Sequence, residues 1–216
     1  MRVIWDPREH YKDRHVAETY DRARFNSLAG WTFDRLEKRA LLSALRDVPA
    51  GSEIIDIPCG TGRLAQALLG AGYHVTGVDI SPAMLDAAGR KLAPFGTRFT
   101  GTLGDAMRLP VPERPFAAAV CARILMHFPL DQQIEFLRGV ARQTKGIVVF
   151  NQSYNSGYQR ARRWVKSRLG HSVPVAHPLA EADIERLLKG ARLREVRRLW
   201  LAPLVSEAFM LVAITT

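Results

Sequence analysis

Apolar positions three and four apart recur through residues 8–46, the spacing of helices that bury one face. The clearest stretch is WTFDRLEKRALL, residues 31–42, where Thr32 reads as an N-cap, and Pro49-Ala-Gly51 stops the helix. Past Gly51 the texture changes to short continuous apolar runs alternating with helical spacing. The runs predict strands over 53–57, 73–78, 98–100, 116–121 and 146–150. Helices are predicted over 62–71 and 130–143, and another begins where Ser81 can cap and Pro82 fits the first turn.

Strand and helix in alternation, with unbroken apolar strands, predict an α/β fold whose mostly parallel sheet is covered on both faces. The last part differs. A helix over 180–189 precedes two strands, 193–201 and 207–215, joined by a short connection, which predicts an antiparallel hairpin at the sheet edge. No repeat or interdomain linker interrupts the chain. Residues 1–216 read as a single domain: a helical cap or lid (1–48), a core (50–150), a basic insertion (151–178), and a terminal helix with hairpin (179–216).

Length and composition agree, since 216 residues with 47% apolar and 24% charged positions suit one globular domain. The net charge of +10 is local: residues 151–200 hold eleven basic side chains against four acidic ones. That concentration points to an anionic partner or substrate near this part of the surface. Cys59 and Cys121 belong to no CxxC or Cys/His cluster, so no structural metal is expected and a reducing compartment is. Residues 1–11 lack the apolar core of a secretion signal, and the apolar stretch 199–215 is too short and interrupted to span a bilayer. A cytoplasmic protein is expected, peripheral to the membrane if the basic segment binds there.

The candidate chemistry centres on Asp56-Ile-Pro-Cys-Gly-Thr-Gly62, a turn between a predicted strand and a predicted helix. Gly60 and Gly62 alone fit a turn shaped by geometry. Asp79, however, ends the second strand and can accept both hydroxyls of a ribose, and Asp105 follows the third strand on the same sheet edge. Three strand-end carboxylates on one rim point to a nucleotide-containing cofactor. Gly60-Thr-Gly62-Arg-Leu-Ala65 also satisfies GxGxxA, which keeps NAD and an oxidoreductase open as an alternative. Asp56 would repel a pyrophosphate but attract an ammonium group, which favours a cofactor with adenosine at one end and an amino acid at the other. S-adenosylmethionine is such a molecule.

The run 53–62, Asp79 with Ile80-Ser-Pro, and Gly104-Asp105-Ala resemble the class I S-adenosylmethionine-dependent methyltransferases. That resemblance covers residues 50–150 and, by topology, the terminal hairpin. It implies a Rossmann-like seven-stranded sheet whose last strand runs antiparallel. It also implies that Asp56 and the Gly60–Gly62 backbone hold the methionyl part, Asp79 the ribose diol and Asp105 the adenine amino group. Ile80 and Met107 would sandwich the adenine beside Ala106, and Pro58, Cys59, Thr61, Met84 and Ala122 would complete the cofactor site. S-adenosylhomocysteine would be the product, and no metal takes part. Pro58 stands where the family usually has glycine, which removes one N–H and restricts φ in the turn.

The acceptor should meet the cofactor near Cys121-Ala-Arg-Ile-Leu-Met-His-Phe-Pro129. His127 reads either as a general base or as a histidine supporting the loop. Arg123 reads either as an orienter of an anionic substrate or as a partner for a nearby carboxylate. Tyr11, Tyr20 and Phe25 could close over the cofactor, as in the lid helices of small-molecule members of the family, or simply pack a helix on the sheet. Asn151-Gln-Ser-Tyr-Asn155 only superficially resembles the Asn-Pro-Pro-Tyr motif of amino-group methyltransferases, because it follows the fifth strand and lacks the prolines. The segment 156–170, with five basic residues and no acid, has four readings: a solvated helix face, a site for an acidic small molecule, an anionic membrane contact, or an RNA contact. RNA ranks last, for want of a recognisable RNA module. The expected function is methylation of a small-molecule or lipid-like acceptor, preferably at oxygen, with NAD-dependent oxidoreduction or RNA methylation as alternatives and a non-catalytic cofactor-binding protein as a third.

Overall fold

The computed structural model describes residues 17, 19, 20, 25–155, 157, 161, 164, 168, 177–201 and 207–216. Tyr11 and most of the basic segment 156–170 lie outside them. The first long helix, α1, spans Leu28–Ala44, and its N-cap is Ser27, whose hydroxyl accepts from the Gly30 N–H at 3.0 Å. Thr32, expected to cap, lies inside the helix, where its hydroxyl donates to the Leu28 carbonyl. Ser27 takes that role because it lies ahead of Leu28 with extended backbone and an oxygen free to accept.

The core alternates as predicted: β1 (Glu53–Asp56), α2 (Arg63–Gly70), β2 (His74–Asp79), α3 (Pro82–Leu92), β3 (Phe99–Leu103) and β4 (Phe116–Cys121). Then come α4 (Leu130–Ala141), β5 (Thr144–Ser153), α5 (Glu181–Ala191), β6 (Leu193–Trp200) and β7 (Ala208–Thr215). β3 and β5 run longer than their apolar runs, because ladder bonding continues through the polar ends of each strand. The sheet order is β3-β2-β1-β4-β5-β7-β6. The five strands of the core are parallel, and β7 runs antiparallel to both β5 and β6. The hairpin is at the edge as expected, with β7 inserted beside β5 and β6 outermost.

Each sheet face carries its own apolar cluster. On one side Leu41 and Leu45, at the end of α1, pack with Leu64 and Leu68 of α2 and with Val75. On the other Phe136 and Leu137 of α4 and Ile184 and Leu187 of α5 pack on Phe150 and Leu211. Gly139 of α4 lies against the loop after β3, where an added Cβ would overlap the Ala106 carbonyl oxygen. A backbone neighbour cannot rotate away, so Gly139→Ala should lower stability by about 1–3 kcal/mol, the range of overpacked cores. Chemical denaturation would measure it; an unchanged midpoint would mean that α4 slides freely over this loop. None of the described helices is long and apolar enough to cross a membrane.

Candidate active site

The chain leaves β1 and β4 in opposite directions along the sheet, toward β2 and β3 from one and toward β5 from the other. Loops that diverge at such a switch point open a crevice at the carboxyl ends of the strands. A crevice of about 960 Å³, continuous with solvent, occupies this position.

Asp56 ends β1 on its floor, 1% exposed, and its Oδ1 accepts no hydrogen bond. Burial pushes its carboxyl up to about 8; Arg63 pulls against that shift, while Asp79 and Glu37 add to it. The following turn is stitched to both neighbouring strands. The Ile57 N–H donates to the Val120 carbonyl at 2.8 Å and the Cys59 N–H to the Val78 carbonyl at 2.9 Å. Pro58, the departure noted in the sequence, is joined to Ile57 by a cis peptide bond. Gly60 and Gly62 sit at φ 53° and 75°, the left-handed region that glycine enters without steric cost. Pro58, Cys59, Gly60 and Thr61 line the crevice, whereas Gly62 lies behind it as the N-cap of α2.

Asp79 ends β2, also buried, with both oxygens anchored by backbone. Gly60 N–H donates to Oδ2 at 2.8 Å and Ser81 N–H to Oδ1 at 2.9 Å. Burial raises its carboxyl above the ordinary value despite these bonds. The two anchors fix the carboxylate plane, and each oxygen keeps a further acceptor position. Ser81 caps α3 through the Met84 N–H at 3.3 Å, which sets Ile80 and Met84 on the crevice wall. Asp105 and Ala106 line it from the loop after β3, Asp105 held by the Met107 N–H at 3.0 Å. Ala122, Arg123 and Tyr20 also face it.

Two residues expected at the site stand apart. Met107 packs into the core beside α4 and is not on the wall. His127 ends a short 3₁₀ turn, Leu125–His127, and is likewise absent from the wall, which is formed there by Ile124, Phe128 and Phe136. Among the described residues no group of three or more His, Cys, Asp or Glu could hold a metal ion.

A charged network behind the crevice was not foreseen. Glu37 of α1 is fully buried; its Oε2 receives Arg63 and its Oε1 the Asn151 amide at 2.7 Å. Asn151 Oδ1 in turn accepts the Arg123 N–H at 2.6 Å. Arg63 also binds Asp34, which Lys38 pairs at 2.8 Å. Burial alone would favour a neutral Arg63, and Glu37 and Asp34 outweigh it. One sequence signal existed. Glu37, Leu41 and Ala44 share the buried stripe of α1, and a carboxylate in an apolar stripe demands a cation.

Residues 54–146 match the sequence family described as a methyltransferase domain. Demethylmenaquinone methyltransferase of Tropheryma whipplei (strain Twist) is 37% identical over 116 residues, 53% of this chain and 44% of that protein. Ubiquinone biosynthesis O-methyltransferase of Stutzerimonas stutzeri (strain A1501) is 35% identical over 82 residues, 37% of this chain and 35% of that protein. The chain thus spans less than half the length of these curated relatives. Magnesium protoporphyrin IX methyltransferase from Synechocystis PCC 6803, solved with bound S-adenosylhomocysteine, superposes with a TM-score of 0.74 at 19% identity, covering 98% of this chain and 100% of that one.

Proposed function

We propose that the chain is a class I S-adenosylmethionine-dependent methyltransferase, which transfers a methyl group from S-adenosylmethionine to a small-molecule acceptor, preferably at oxygen. The observation that carries this reading is the buried, unpartnered Oδ1 of Asp56 on the crevice floor. A buried acceptor without a donor is costly unless a ligand supplies one, and an ammonium group supplies three. Asp79, its plane set by Gly60 and Ser81, would receive the ribose hydroxyls. Asp105 and Ala106 would meet the adenine edge, with Ile80 and Met84 against its face.

When bound, S-adenosylmethionine supplies a sulfonium methyl group open to in-line displacement. The chain's own task is then to orient the acceptor and exclude water. Tyr20 and the apolar wall of Ile124, Phe128 and Phe136 would do both. That wall suits a flat, largely apolar acceptor. The relatives named for menaquinone, ubiquinone and protoporphyrin chemistry support the same class.

The NAD alternative fits the turn less well. Of the N–H groups a pyrophosphate would need, Gly60 donates to Asp79 and Gly62 to the Cys59 carbonyl. Titration calorimetry with S-adenosylmethionine, S-adenosylhomocysteine and NAD decides between them: tight binding of NAD alone would remove the proposal. A labelled-methyl screen across phenolic, quinol, carboxylate and RNA pools would then identify the acceptor. Asp79→Ala should weaken S-adenosylhomocysteine by about 1.5–3 kcal/mol, the usual loss for hydrogen bonds to a charged group. Unchanged affinity would move the ribose elsewhere.

A further inference from the structure

Arg123 differs from the other described arginines near the crevice in how it is held. Its backbone sits at φ 63°, a conformation that non-glycine residues adopt rarely. The residue follows β4 by two positions, and its N–H is pinned by Asn151, itself fixed by the buried Glu37. A strained backbone persists where its surroundings over-determine it, and such positions cluster at ligand sites. Here the consequence is directional, since Arg123 faces the same crevice as Asp56 and Asp79.

Among the described residues the guanidinium is positioned without a hydrogen-bonded carboxylate. It lies over the rings of Phe25 and Phe33, at 5.4 and 5.5 Å from their centroids. Among the described residues its nearest carboxylate oxygen is Glu37 Oε2, 4.0 Å from Nη1 and beyond hydrogen-bond reach. That oxygen already binds Arg63, and the other oxygen of Glu37 binds Asn151. Arg123 Nε is buried and has no hydrogen-bond partner. A guanidinium whose buried Nε–H lacks an acceptor inside a pocket is matched by a planar anionic group such as a carboxylate.

We propose that Arg123 is the specificity-determining residue of the acceptor site and selects an aromatic acceptor bearing a carboxylate or an ionised phenol. This rests on the methyltransferase reading and deepens it by naming the acceptor class. Among the described residues the wall carries no histidine, and an acceptor whose reacting oxygen is held as its anion arrives already deprotonated. The cation lowers the acceptor's pKa by favouring the charged form. The apolar wall of Phe128 and Phe136 receives the ring while Arg123 receives the anionic edge.

The test separates this proposal from the one beneath it. The full chain, saturated with S-adenosylhomocysteine, is titrated with benzoate and with benzamide, its neutral counterpart of similar shape. Benzoate should bind at least tenfold more tightly than benzamide. Arg123→Gln should erase that difference while leaving S-adenosylhomocysteine affinity within about twofold, and Arg123→Lys should restore part of it. Equal binding of the two probes to the parent protein would overturn the proposal. So would a benzoate preference that survives in Arg123→Gln, or an Arg123→Gln variant that loses S-adenosylhomocysteine binding and melting temperature together, since Arg123 would then be a structural partner of Glu37. Should S-adenosylhomocysteine fail to bind the parent chain at all, the underlying function falls first.

Discussion

Binding of S-adenosylhomocysteine at pH 6.5 should release close to one proton, and Asp56→Asn should abolish both that release and most of the affinity. The free protein holds Asp56 protonated below about pH 8, because burial outweighs the pull of Arg63. An ammonium ligand favours the carboxylate, so binding expels the proton. Affinity should therefore rise with pH by nearly tenfold per unit until about pH 8. Above that Asp56 is already ionised in the free protein, and affinity should level off until the ligand's own ammonium group loses its proton at higher pH. Calorimetry in two buffers of different ionisation enthalpy counts the proton. Its absence would place the amino group away from Asp56. The affinity loss in Asp56→Asn should be on the order of 100-fold, equivalent to ~2.7 kcal/mol.

The same residue makes an opposite prediction for stability. With a folded pKa near 8 against an ordinary 3.8, the folded state keeps a proton that the unfolded chain has lost. Its contribution is fully present below about pH 4, declines as pH rises through the interval, and is gone above about pH 8. Asp56→Asn removes this dependence. The variant should thus melt several degrees higher than the parent at pH 8, with the gap closing toward pH 5, at about 2–4 °C for each kcal/mol. A gap independent of pH would remove buried ionisation as its source. Cofactor capture and fold stability are set against each other at one carboxylate.

The second large effect concerns Glu37. Glu37→Ala leaves Arg63 buried with only Asp34, frees the Asn151 amide and removes the anchor behind Arg123. Breaking a buried pair from one side typically costs about 3–5 kcal/mol, so the melting temperature should fall by roughly 10 °C. Glu37→Gln keeps the acceptor for Asn151 and should lose less. A loss below about 1 kcal/mol for Glu37→Ala would rank this cluster with surface ion pairs.

Gly139→Ala, Asp79→Ala and the Arg123 series probe other joints of the same architecture. Gly139 sets how closely α4 lies against the loop carrying Asp105 and Ala106, Asp79 the ribose end, and Arg123 the acceptor end.

How much of this was legible beforehand differs by the range of the interaction. The strand runs, the Ser81 cap, the Gly60–Gly62 turn and the three strand-end carboxylates are local patterns, and all were readable because each rests on neighbours within a few residues. A residue two positions after a strand-end acid can point to either side of its loop, and Met107, half-buried, packs against the core cluster. His127 ends a 3₁₀ turn whose flanking residues Ile124 and Phe128 line the crevice, an arrangement that local spacing does not specify. Asn151, read in the sequence only as part of a superficial motif likeness, has as its partner Glu37, 114 positions earlier.

By itself, the order of apolar and polar residues determined the α/β alternation, the parallel core, the antiparallel hairpin and the rim where Asp56, Asp79 and Asp105 gather. Those follow from periodicity and from the rule that parallel strands bring their carboxyl ends to one edge. Only the tertiary structure decided that Asp56 would be dry enough to hold a proton near neutrality, that Glu37 would pair Arg63 and, through Asn151, pin the Arg123 backbone, and that Arg123 would face the crevice. Burial and charge pairing depend on which distant segments meet, as Glu37 of α1 meets Asn151 of β5.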